Sequence, residues 1–139
     1  MQFSTLLTLA AAAAAPASAF IDKMVAVTKE MRPGGTAKVT MHRSVYIQNF
    51  DDFGIVWGLA PTSMTQASCP GCVGRRIDYT NLWANNTVKV PETGNFDIPV
   101  IIPKEIPRGR YLLVGGTSFL VGASGFSGFN YFNKTISIQ

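Results

Sequence analysis

The chain has 139 residues, of which 47% are hydrophobic and 14% charged, and 12 Lys and Arg against 8 Asp and Glu give it a net charge of +4 at pH 7. This length predicts one domain that can bury a core without a framework of disulfides. The basic residues are scattered, whereas a nucleic-acid-binding protein usually carries a dense basic face, so we expect no nucleic-acid partner.

The first residues have the pattern of a secretory signal. Residues 6–15 form an apolar run of Leu, Thr and Ala, and Ala17, Ser18 and Ala19 supply small residues at the spacing of a cleavage site. The alternative is a membrane anchor, but a spanning helix needs about 20 apolar residues. We therefore predict a signal peptide at residues 1–19, a mature domain at residues 20–139, secretion, and no membrane insertion.

The rest of the sequence predicts strands and turns, because Gly and Pro interrupt it about every 8–12 residues, as in a sandwich or barrel. The predicted strands are, in chain order, residues 24–28, 36–46, 53–59, 75–83, 96–102, 111–114 (resuming at 119–121 after Gly115-Gly116) and 131–138. In the second strand Ala37, Val39 and Met41 alternate with polar residues, which a half-buried strand requires. Pro99 and Pro103 cannot donate to a ladder, which favours an edge or an irregular position for this strand.

One corner has a recognisable pattern. Pro107, Gly109 and Tyr111 form a Pro-x-Gly-x-Tyr run before the sixth strand. In immunoglobulin-like domains such a tyrosine bonds back to nearby backbone and fixes the corner. With about seven strands, the sequence predicts an all-β fold, a single immunoglobulin-like β-sandwich of the type without an inter-sheet disulfide.

The two cysteines lie in a Cys-Pro-Gly-Cys loop at Cys69 and Cys72. That spacing occurs in dithiol redox enzymes, but those place it in a βαβ unit, which this sequence lacks. A zinc site needs four ligands, and only His42 could join the cysteines. We favour a local disulfide, because a secreted chain oxidises its thiols, and keep a redox pair and free thiols as alternatives.

Two tripeptides are candidate glycosylation sites if the chain is secreted. Asn85-Asn86-Thr87 and Asn133-Lys134-Thr135 have the form of N-glycosylation acceptors. We predict glycosylation at Asn85 and Asn133.

No constellation indicates catalysis. His42 is the only histidine, on the polar side of its strand and with no nucleophile elbow nearby. Asp51 and Asp52 are adjacent, whereas glycosidases hold two carboxyls apart across a cleft, so we expect both to face water at a turn. No third acid completes a calcium site. We predict no catalytic residue, no cofactor and no metal, hence a protein that is not an enzyme.

Aromatic residues leave two binding interpretations open. Phe119, Phe126 and Phe129 are interleaved with glycines, and they belong either to the core or to an adaptable surface for a partner. Tyr79 and Trp83, in a predicted edge strand, could stack on sugar rings. A secreted carbohydrate-binding module for cell-wall glycans is therefore the alternative function.

The order of motifs resembles the necrosis-inducing secreted protein family of fungal effectors. The resemblance is carried by Pro33-Gly34, Tyr46-Ile47-Gln48, Val56-Trp57-Gly58-Leu59-Ala60-Pro61, residues 96–103, Ile106-Pro107-x-Gly109-x-Tyr111, and Asn130-Tyr131-Phe132-Asn133-Lys134-Thr135. It implies a non-enzymatic effector that binds plant receptor-like kinases and receptor-like cytoplasmic kinases and suppresses pattern-triggered immunity, in the host apoplast or host cell. Some members provoke host cell death. We expect a monomer that acts through protein–protein binding.

Overall fold

The computed structural model describes residues 18–47, 49–83, 88–122 and 125–139, and these residues form eight strands. The strands are β1 (Ser18–Val27), β2 (Glu30–Met31), β3 (Thr36–Tyr46), β4 (Phe50–Ala60), β5 (Arg75–Asn81), β6 (Gly94–Ile101), β7 (Gly109–Val121) and β8 (Phe126–Ile138). Within these ranges, no helix has the length and apolar character needed to cross a membrane.

The strands form two sheets, with the order β1-β3-β6 in one and β2-β8-β7-β4-β5 in the other. Neighbours run antiparallel except β2, which pairs in parallel with the end of β8. Immunoglobulin domains have the same division, with strands B and E in one sheet and C, F and G in the other. The predicted all-β, immunoglobulin-like sandwich is confirmed, and the strand beyond the predicted seven is the two-residue β2.

The core lies between the sheets and is built by alternation along the strands. On β3, Ala37, Val39 and Met41 are fully buried, as the period of two predicts. On β6, buried Ile98 and Val100 alternate with exposed residues, Pro99 among them. The predicted edge position of Pro99 is confirmed, because within its sheet β6 pairs only with β3.

Several strand predictions were too short; the last strand, for example, begins at Phe126 rather than residue 131. The first strand begins at Ser18 rather than residue 24, so it pairs with β3 from two residues before the predicted mature start; the domain boundary itself stays a prediction. The predicted break at Gly115-Gly116 is wrong, because β7 continues through both glycines to Val121. A Cβ atom on Gly115 would lie 2.8 Å from a ring carbon of Trp57, so this glycine makes room for the indole.

The corner before β7 contains the hydrogen bond that a tyrosine corner requires. The Tyr111 hydroxyl donates to the carbonyl oxygen of Pro107, four residues earlier, at 2.7 Å. The ring also packs against the main core, so the bond ties the entry of β7 to the packed interior.

Replacing Tyr111 with phenylalanine should lower the free energy of unfolding by about 0.5–1.5 kcal/mol, because the ring stays and only this hydrogen bond is lost. Urea denaturation measures the change as a lower midpoint at unchanged slope. Tyr79→Phe is the control, since residue Tyr79 is 49% exposed. An equal loss in both variants would contradict a stabilising role specific to the corner.

Candidate interaction sites

A row of aromatic rings crosses one end of the sandwich. Phe20, Tyr46 and Phe50 form a triangle with centroids 5.2–5.3 Å apart. Phe50 stacks on Phe119 at 5.0 Å, and Phe119 contacts Phe126 at 6.1 Å. These spacings are those of favourable aromatic pairs. We call these five residues the aromatic row.

The topology explains why rings from distant parts of the sequence meet here. Tyr46 ends β3 and Phe50 begins β4, while Phe126 begins β8 just beyond the end of β7. The amide of Gly122 donates to the carbonyl oxygen of Asn49 at 2.9 Å and joins the two connections. In immunoglobulin variable domains the loops between the corresponding strands bind antigen. The aromatic row therefore lies at the end of the fold that is used there for recognition.

The aromatic row passes from the interior to the surface. Phe50 is 6% exposed, Phe119 is half-buried, and Phe126 is 64% exposed. Ile47, directly after Tyr46, is 96% exposed. Single exposed apolar residues are ordinary, but apolar side chains in contact with one another are typical of binding surfaces. Of the two interpretations of the glycine-flanked phenylalanines, core packing is therefore wrong for Phe126, and the partner surface stays a prediction.

The disulfide loop covers the opposite side of the five-stranded sheet from the main core. Cys69 and Cys72 are joined in a disulfide with their Cα atoms 5.5 Å apart. The Gln66 side chain bonds the loop twice, to the carbonyl of Cys72 and the amide of Gly71, both at 2.8 Å. The loop packs Met64 and Val73 over the small apolar cluster of Ala60, Leu112 and Val114. This arrangement gives the disulfide loop a structural role.

An apolar groove of about 250 Å³ runs along the edge of this loop. It is lined by Val56, Gly71, Val73, Gly116, Phe129 and Tyr131. Phe129 is 59% exposed, close to the value for Phe126, although it lies in a different surface. The two phenylalanines therefore form a matched pair for testing which surface binds a partner.

Of the residues predicted to bind sugars or to be glycosylated, Trp83 and Asn133 are exposed and Asn85 lies outside the described residues. Trp83 is 60% exposed and rests on Phe53 with centroids 4.9 Å apart. Asn85 lies outside the described residues, so its glycosylation stays a prediction. Asn133 is exposed on β8 opposite Val114, where its side chain can be reached from solvent. Glycosylation at Asn133 also stays a prediction.

His42 belongs to a polar cluster on β1 and β3. Its Nδ1 lies 2.7 Å from Asp22 Oδ1, and the Ser44 hydroxyl donates to Asp22 Oδ2 at 2.7 Å. Partial burial opposes ionisation of Asp22, but the bonds from Ser44 and His42 outweigh it and lower the pKa of Asp22. In a catalytic triad the serine bonds the histidine. Here it bonds the aspartate, so the cluster is a hydrogen-bonded histidine–aspartate pair with a hydroxyl partner.

The expectation that Asp52 faces water was wrong. Asp52 is 7% exposed, and its Oδ2 accepts from the Ile21 amide at 2.9 Å, while its buried Oδ1 has no hydrogen-bond partner in the part of the chain that the structure describes. Burial raises the pKa of Asp52 to about 6, and the Ile21 bond and the Arg43 charge offset only part of that rise. The cause is a bulge in β4 between Asp52 and Gly54, which turns Asp52 to the inner face.

These observations define a β-sandwich of immunoglobulin type with an exposed aromatic surface at its loop end. The family model described as the Nis1 family matches residues 17–137, and the chain belongs to that family. The chain is 26% identical over 138 residues to Necrosis-inducing secreted protein 1 of Colletotrichum orbiculare, and the match covers 99% of this chain and 81% of that protein. The family resemblance stated from the sequence motifs is confirmed.

Proposed function

We propose that this protein is a secreted, necrosis-inducing effector that binds plant receptor-like kinases and receptor-like cytoplasmic kinases and thereby suppresses pattern-triggered immunity. Family membership and the name of the Colletotrichum relative support secretion and necrosis induction. The exposed part of the aromatic row is the observation that supports protein binding. The protein acts without catalysis and as a monomer, in the host apoplast or host cell.

The binding energy comes from a few apolar anchors in this proposal. Protein interfaces concentrate their energy in a small number of buried, often aromatic, side chains. Phe126 and Ile47 are the most exposed large apolar side chains near the loop end, at 64% and 96%. Phe126 already packs against Phe119, so less conformational entropy is lost when a partner covers its ring. The kinase is inhibited because the bound sandwich occludes its surface.

The matched pair of phenylalanines tests this mechanism. We expect Phe126→Ala to weaken capture of plant immune kinase domains by about tenfold or more, the cost of truncating an interface hot spot. Phe129→Ala, equally exposed in the groove, should leave capture unchanged. The measurement is a pull-down with the protein secreted from yeast, in which autophosphorylation of the captured kinase is read in the same tube.

Each result of the pull-down has a definite meaning. Capture with reduced autophosphorylation, lost in Phe126→Ala alone, supports the proposal. Loss of kinase capture in Phe129→Ala alone would show that the binding surface is the groove. If folded wild-type protein captures no kinase from a panel of receptor-like and cytoplasmic kinases, the proposed target class is wrong.

A further inference from the structure

A cavity of about 370 Å³ opens beside the buried carboxylate of Asp52. It is lined by Ile21, Arg43, Asp52, Leu82, Val88, Lys89 and Val90. Ligand sites in proteins begin at about 300 Å³, and one water molecule occupies about 30 Å³, so the cavity is large enough for a small molecule. None of its lining residues belongs to the aromatic row.

Two side chains of this lining each carry a buried polar atom that has no hydrogen-bond partner among the described residues, and the two atoms are of opposite character. One is Asp52 Oδ1, an acceptor, and the other is Arg43 Nε, a donor. A buried polar group without a partner costs about 1–3 kcal/mol, so such atoms are rare in folded proteins unless a bound group completes them.

The two side chains are held in place and cannot satisfy each other. Arg43 donates through Nη1 to the carbonyl of Pro91 at 2.9 Å and through Nη2 to the carbonyl of Ala19 at 2.7 Å. Asp52 is held by the Ile21 amide. No nitrogen of Arg43 lies within 4.0 Å of a carboxylate oxygen of Asp52, although the charges attract each other. The chemistry missing at these two atoms is therefore an acceptor for Nε and a donor for Oδ1.

We propose that this cavity is a sugar-binding site that takes one pyranose ring of a glycan. Sugar hydroxyl groups both accept and donate hydrogen bonds, so they suit Arg43 Nε and Asp52 Oδ1, and Lys89 offers a further donor. The apolar lining from Ile21, Leu82, Val88 and Val90 suits the carbon face of the ring. This activity goes beyond kinase binding and uses separate residues, so each can fail without the other.

The test is a titration of ¹⁵N-labelled protein with glucose, N-acetylglucosamine, mannose, galactose and xylose, and with short chitin, cellulose and β-glucan oligomers. The full-length chain is expressed in yeast, so that the secretory machinery removes any signal peptide and determines the N-terminus. The secreted protein is used at pH 7.5. We expect at least one sugar to shift the amide signals of Ile21, Val88 and Val90 in a saturable way.

Two variants and a control locate the binding. Asp52→Asn should weaken it by about 10–100-fold, the equivalent of losing a hydrogen bond to a charged group. Val90→Phe should abolish it by filling the cavity without changing the polar pair. Asp51→Asn, the neighbouring acid, should bind as the wild type does, and circular dichroism verifies that all three fold.

The proposal is overturned if no sugar in the panel shifts the cavity signals of folded protein, since ordered water would then be the partner of both orphan atoms. Binding that persists in folded Asp52→Asn or Val90→Phe would also overturn it and would place the sugar elsewhere, such as on Trp83.

Discussion

Replacing Trp57 with alanine is expected to lower the free energy of unfolding by about 3–5 kcal/mol, the usual cost of deleting a large buried aromatic side chain. Trp57 is the largest fully buried side chain, and it lies on β4 within the main core. Its Nε1 donates to Thr80 Oγ1 at 2.8 Å, so the variant also leaves a buried hydroxyl without this donor. Such a loss is a large part of the stability of a small domain. Chemical denaturation measures it.

The packing of Trp57 against Gly115 makes this prediction more specific. A Cβ on Gly115 would lie 2.8 Å from Trp57 and 3.2 Å from Ile55, so Gly115→Ala should cost about 1–3 kcal/mol through overpacking. In the Trp57→Ala background the same methyl group enters empty space, and we expect most of the cost to vanish. The double-mutant cycle measures this coupling.

Gly122→Ala serves as the control for backbone effects, because its Cβ would meet only Asn49 at 3.4 Å, an ordinary contact. Additive losses for Trp57→Ala and Gly115→Ala would show that the glycine is not needed to accommodate the indole.

Gly115 also shows where sequence reasoning reached its limit. The alternation on β3 and the proline on β6 are local signals, and each gave the correct face or edge. A glycine pair is also local, and it predicted a break in β7. Its role is set by an indole from β4, about 60 residues earlier, so that no pattern within β7 could reveal it. The sandwich could thus be predicted, but the continuity of its central strand could not.

The candidate sites show the same limit. Phe126 could be singled out in the sequence, but its contact with Phe119, and through Phe119 its place in a row of rings from β1, β3 and β4, depends on topology. Asp52 lies three residues before Ile55 and, in a regular strand, would point away from the core. The bulge after Asp52 adds one residue and reverses its side. A single-residue irregularity thus decides whether the carboxylate faces water or the interior. The Asp-Asp-Phe-Gly sequence contains no signal that predicts this bulge.

The buried carboxylate should make stability depend on pH in a way that Asp52→Asn removes. The pKa of Asp52 is raised from 3.8 to about 6, so the folded protein holds this proton more tightly than the unfolded chain does. Its contribution to stability is complete below about pH 3.8, falls as the pH rises, and is lost above about pH 6. The full change is about 3 kcal/mol at 1.36 kcal/mol per pH unit.

At pH 7.5 the Asp52→Asn variant should therefore be more stable than the wild type by up to about 3 kcal/mol, because the amide oxygen can still accept from Ile21 and no charge is buried. Near pH 4 the difference should be small. Arg43 favours the charged form of Asp52 and Asp51 opposes it, and both residues are present in both proteins. The lowered pKa of Asp22 makes stability fall as the pH falls, which is the opposite dependence. This contribution is the same in both proteins and cancels in the difference between them.

Urea denaturation of both proteins at pH 4, 5, 6 and 7.5 gives the difference directly, and Asp51→Asn controls for the loss of one negative charge. Curves of stability against pH that stay parallel for wild type and Asp52→Asn would mean that Asp52 is ionised at its ordinary pKa. Its carboxylate would then be solvated or paired in the folded protein, and the unpartnered oxygen at the cavity would need no ligand. Converging curves at low pH would instead show that the fold keeps a destabilising carboxylate at this position, as sites that bind a polar ligand often do.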